Sequence, residues 1–102
     1  MVTTNNILTN PATNALLADT GALNGSQTSL TALISSEVAC IVFFEYMNAA
    51  NTVALYSHAF IIGANTSQQF DLPGLSYLVG ERFRLRLNAG VTGHVQGSLF
   101  YF

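Results

Sequence analysis

The chain has 102 residues, of which only eight are charged: three arginines, five carboxylates and no lysine. Half of the residues are apolar, so the deficit does not signal disorder, which needs low hydrophobicity; three arginines make no patch able to neutralise a run of phosphates, which argues against nucleic-acid binding, and no apolar stretch approaches the eighteen residues of a helical membrane span. An average chain of this length would carry about 26 charges, and a neutral polar surface partly covered by copies of the same chain is the simplest account of the shortfall, because a weakly charged monomer is a poor colloid.

One domain is expected at this length. Cys40 has no second cysteine to pair with and lies in an apolar run, as a buried and inert thiol does. The first residues, Met1-Val2-Thr3-Thr4-Asn5-Asn6, have neither the basic nor the apolar region of a signal peptide, so a chain that starts there is expected to be made in a host cytoplasm. Asn24-Gly25-Ser26 and Asn65-Thr66-Ser67 match the glycosylation pattern, which arises by chance in a chain so rich in Asn, Ser and Thr.

Residues 1–13 are polar, contain Pro11 and offer only Ile7 and Leu8 as paired apolar residues. They read as an arm, frayed or docked on a neighbouring subunit, ahead of a domain spanning 14–102. Beyond it, turn residues recur every eight to twelve positions between β-branched and aromatic runs, the pattern of an all-β sandwich or barrel. Residues 14–22 form a first strand, and Asn24-Gly25 is a hairpin dipeptide that would turn the chain into 28–34, with Ser35-Ser36 breaking that run.

Residues 38–46 are the most apolar segment. Val38, Cys40, Val42, Phe44 and Tyr46 share one face and Ala39, Ile41 and Phe43 the other. A two-layer sandwich has no third layer to cover a second apolar face, so Ile41 and Phe43 are candidates for a subunit interface. Residues 53–62 form another long strand and 68–72 a short one, closed by Pro73-Gly74; 75–80 has no clear period.

In 81–87, Phe83, Leu85 and Leu87 alternate with Arg82, Arg84 and Arg86, so one face is core and the other carries three guanidiniums. These could bind a neighbour's Glu37, Glu45 or Glu81 bidentately. A loop over 88–93 then suggests a hairpin into 94–102, with Leu87 facing Val95, Phe83 facing Leu99, Arg84 facing Ser98 and Arg86 facing Gln96. Because Phe100, Tyr101 and Phe102 end the chain without a polar tail, they are expected to be tied into a sheet or interface.

Chemistry-bearing residues are sparse. His58 and His94 have no ligand-spaced histidine, cysteine or carboxylate beside them, Ser57-His58 with Asp71 lacks a nucleophile elbow, and Asp71 and Glu81 are too few for calcium. No catalytic, metal or cofactor-binding residue is assigned, and the chain is not expected to be an enzyme. The segments Glu45-Tyr46-Met47-Asn48-Ala49-Ala50-Asn51 and Glu81 to Phe102, the latter of the form R-x-R-h-x-A-x-h-T-G-x-h-x-x-S-h over 84–99, resemble small virion proteins of tailed bacteriophages. The resemblance covers roughly 14–102 and carries over no site residue.

It implies a jelly-roll or sandwich domain that decorates heads or forms fibre knobs. The expectation is therefore an all-β, antiparallel, jelly-roll-like sandwich acting as a structural homo-oligomeric virion protein. A trimer is favoured, docked on a major capsid or other virion protein through Ile41, Phe43, Arg82, Arg84, Arg86, Phe100 and Phe102. The alternative is a carbohydrate- or receptor-binding module that uses Tyr56, Tyr77 or Tyr101 as a stacking platform.

Overall fold

Period-two alternation of buried and open side chains runs unbroken through 30–36 and 82–87, and only an extended backbone sends successive side chains to opposite faces in this way. The computed structural model describes residues 2–102, so Met1, the first residue of the expected arm, lies outside the described residues. Eight strands follow in order: β1 (Val2–Thr9), β2 (Leu16–Asp19), β3 (Leu30–Ser36), β4 (Cys40–Met47), β5 (Ala54–Ile62), β6 (Thr66–Leu72), β7 (Arg82–Leu87) and β8 (His94–Tyr101). They form two antiparallel four-stranded sheets, a first in the order β1-β8-β3-β6 and a second in the order β2-β7-β4-β5.

The pairings are nested. β4 pairs with β5, β3 with β6, β2 with β7 and β1 with β8, so the chain is one long ribbon doubled back at 48–53 and wound over itself. That is the jelly-roll form of the sandwich expected from the sequence. Between the sheets, Leu17, Val42, Phe44, Ile62, Phe83, Leu85 and Leu87 of the second meet Leu30, Ile34, Val95 and Leu99 of the first in one buried core, which also holds the free thiol of Cys40.

Four local expectations change. The segment 1–13 is not set apart from the sandwich: β1 pairs residue for residue with β8 from Val2↔Tyr101 to Thr9↔His94. Its Thr and Asn residues suit an edge strand that needs few apolar side chains, and Leu8 packs against the core. Asn24-Gly25 makes no hairpin, because β2 and β3 belong to different sheets; Asn24 instead accepts the Ser26 N–H at 3.0 Å in a local turn, within a crossover over 20–29.

Likewise β7 and β8 do not pair. β7 lies between β2 and β4, and β8 between β1 and β3, so the expected register of Leu87 with Val95 and of Phe83 with Leu99 is replaced by packing of two apolar faces across the core. Alternation reports which side of a strand is buried, and it is silent on whether two such strands lie side by side or face to face. Ser35 and Ser36 continue β3, and the buried Ser36 hydroxyl donates to the Val38 carbonyl at 2.6 Å.

Candidate subunit interface

The outer face of the second sheet collects five of the seven residues singled out from the sequence. Register sets Phe43 beside Arg86, Glu45 beside Arg84 and Met47 beside Arg82, with Ile41 at the other end of β4. Phe100 lies half-buried on β8 of the first sheet, and Phe102 is exposed beyond its end. The Phe102 N–H donates to the Ser29 carbonyl at 3.1 Å, so the chain end is tied into the fold while its ring stays in water.

Glu45 is the centre of this face. Its side chain is only 6% exposed, and its Oε1 accepts from Arg84 Nε at 2.8 Å and from Arg86 Nε at 2.9 Å. Arg86 Nη2 reaches the other oxygen at 3.3 Å, Arg86 Nη1 donates to Asn14 Oδ1 at 2.6 Å, and the guanidinium lies 4.8 Å over the Phe43 ring. Burial alone would raise the Glu45 carboxyl, but the hydrogen bonds and charges of Arg86 and Arg84 outweigh it and hold the group below its ordinary value.

Arg82 sits 3.6 Å from Asp19, and its buried Nε has no hydrogen-bond partner among the described residues. The guanidinium row therefore serves carboxylates of its own chain. Of the acids considered as a neighbour's contribution, Glu45 is consumed within the chain, Glu81 accepts from the Tyr46 hydroxyl and from the Leu78 N–H, and Glu37 pairs with His94.

What this face leaves open is β5, the outermost strand. The Ile41 carbonyl accepts from Asn88 N at 2.9 Å on the β7 side, and backbone groups in an antiparallel ladder alternate sides, so it is Cys40, Val42, Phe44 and Tyr46 that bond to β5. Their partners are Ile62, Phe60, His58 and Tyr56. The N–H and C=O groups of Ser57, Ala59 and Ile61 consequently point away from the sheet. The Ile61 carbonyl is met there only by the side-chain amide of Gln68, at 2.6 Å.

Along this edge Ile61 is 75% and Tyr56 53% exposed, with Val53 and Leu55 similarly open. Ile41 and Ile61 border an apolar depression of about 320 Å³ that also takes in Ala39, Ile62 and Val91. The sequence places the strand but does not single out Tyr56 and Ile61 as neighbours on an exposed edge. Their signal was the absence of charge from 53–70, and only the sheet order makes that absence meaningful by placing the strand at an edge.

The remaining polar groups do not converge. Ser57 and His58 are consecutive on β5 and point to opposite faces, while Asp71 accepts the Thr31 hydroxyl on the first sheet. His58 stacks on Phe70 and meets the edge of Phe60. His94 and Glu37, each about half exposed, pair at an open cleft of about 440 Å³ lined by Ile7, Ser35, Asn65, Thr66 and Gln96. Among the described residues no three metal-ligating side chains cluster.

Of the three tyrosines considered as sugar platforms, Tyr101 is buried with its hydroxyl 3.3 Å from the Thr20 carbonyl. Tyr77 is half-buried and bonded to Gln27, so Tyr56 alone is free to stack. No family model matches the chain, and neither does any curated protein.

Proposed function

We propose that this chain is a structural, non-enzymatic subunit that assembles with copies of itself as a small surface component of a virion, of the head-decoration or fibre kind. One observation carries the assembly part. β5 is an edge strand whose outward backbone, flanked by exposed Ile61, Tyr56, Leu55 and Val53, has no charged residue to keep another chain away. Natural sheets protect such edges with charge, proline or cover, and an apolar edge left bare marks a place where a partner belongs. The virion part is supported by the lysine-free, Asn- and Thr-rich composition and by the resemblance carried by 84–99, and it implies a capsid or other virion protein as the surface on which the assembly sits.

Light scattering across a hundredfold dilution tests the reading. The wild-type mass should stay a fixed multiple of the chain mass, and Ile61→Arg, at a position too open to disturb the core, should give folded protein of lower mass. A wild type that is monomeric at every concentration would overturn it.

A further inference from the structure

We infer that β5 pairs with β5 of a second copy, antiparallel about a two-fold axis at Ala59, joining two four-stranded sheets into one of eight strands. This rests on the reading of the chain as a self-assembling subunit, and it names the contact.

Each sheet has two open edges, and they differ. β2 is four residues long with a register shift of its own. β6 carries Asp71 among amides and hydroxyls, and β1 presents mainly threonine and asparagine. β5 is the longest strand, and it combines an uncharged sequence with large exposed apolar side chains. β5 itself carries no Asp, Glu, Lys or Arg to repel a second β5, and the Glu45 carboxylate on neighbouring β4 is held by Arg84 and Arg86 of its own chain.

Backbone geometry restricts the register. The ladder with β4 shifts between Tyr46 and Met47, which leaves Leu55 unopposed and the run from Tyr56 to Ile62 regular. Within that run only Ser57, Ala59 and Ile61 offer outward N–H and C=O groups, so a hydrogen-bonded partner must present the same odd-numbered residues. Overlap of the whole regular run then puts Ala59 opposite Ala59 of the copy, Ser57 opposite Ile61 and His58 opposite Phe60.

The side chains fit that arrangement. A small alanine sits on the axis, and Ser57 leaves room for Ile61. Tyr56 comes opposite Ile62, which is already buried within its own chain, so the gain there is cover for the Tyr56 ring that otherwise stays in water. Leu55, Tyr56 and Ile61 are each more than half exposed, so pairing the two edges removes apolar surface from water as well as joining their backbone groups. Gln68, an exposed residue, must swing off the Ile61 carbonyl and give its place to the Ser57 N–H of the copy. A two-fold contact is self-complementary, so it builds assemblies of even number where the sequence alone favours a trimer.

Disulfide trapping tests the axis. An antiparallel hydrogen-bonded pair holds its Cα atoms about 5.5 Å apart, within disulfide reach, so Ala59→Cys should form a linked dimer on mild oxidation. His58→Cys and Ser57→Cys, which face other residues, should not, and neither should the wild type, whose Cys40 is buried. Light scattering on each reduced variant reports association independently. If the variants associate but Ala59→Cys stays unlinked, or if His58→Cys links as readily, the pairing is wrong while the assembly reading stands. If nothing associates, both fall.

Discussion

Gly97 of β8 lies directly against Leu17 of β2 across the sandwich, and a Cβ on Gly97 would stand 2.5 Å from the Leu17 Cβ and 3.3 Å from Leu85 Cδ1. The obstacle is the root of a side chain rather than its flexible tip, so the two sheets could accept an alanine only by moving apart. Gly97→Ala should cost about 1–3 kcal/mol, as overpacking does, and lower Tm by roughly 5–20 °C. Gly74→Ala, where an added Cβ meets nothing within 4 Å, should leave the melting curve in place. Equal melting of both variants would show that the sheets are not held at this spacing.

Glu45 should make the fold acid-sensitive. Its folded carboxyl binds a proton less readily than the ordinary glutamate value of 4.5, so the unfolded chain takes up the proton first, and the stability Glu45 contributes is present above that value and lost as pH falls through its lower folded value. Glu45→Gln should cost about 1–2 kcal/mol at neutral pH, a charge-assisted contact discounted because both guanidiniums reach water. Urea midpoints measured from pH 7 downward should draw together for wild type and variant as pH falls progressively below 4.5. A difference that persists at low pH would assign the loss to packing instead of charge.

At alkaline pH the sign reverses. Burial pushes the Tyr46 hydroxyl above its ordinary value of 10.0, and the Glu81 carboxylate that accepts its proton adds to this; burial and the charge of Asp19 do the same for Tyr101. The unfolded chain releases these protons first, so stability is full below about pH 10 and falls as pH rises above it. Tyr46→Phe should remove part of that fall and cost about 1–2 kcal/mol at neutral pH. Because Glu81 also holds the Leu78 N–H at 2.6 Å, limited proteolysis of the variant should shift toward 73–80.

Deleting residues 1–9 should unfold the protein. The deletion strips β1 from β8 along its whole length and leaves an inner strand as a bare edge. Circular dichroism should show loss of the cooperative transition, with aggregation on concentration. A truncated chain that melts like the wild type would return this segment to the status of an arm.

Side-chain alternation, turn residues and composition are properties of neighbouring positions, and they were legible in the sequence. They are enough to place β3, β4, β5, β6, β7 and β8 to within a few residues, to orient Phe83, Leu85 and Leu87 inward, and to point to a sandwich. The identity of strand neighbours is different, because hydrogen bonding between strands depends on no side chain in particular. The apolar faces of β7 and β8 would be buried equally well by lying in one sheet over a common core or by facing each other across it, and only the nested pairing of the whole ribbon selects the second. The same pairing turns a polar amino-terminal segment into β1, brings Glu45 under Arg84 and Arg86 from 39 and 41 residues away, and leaves β5 at an edge. Local pattern thus determined which side of each strand is apolar, and the tertiary structure decided which apolar and charged groups are already used within the chain and which remain open to a partner.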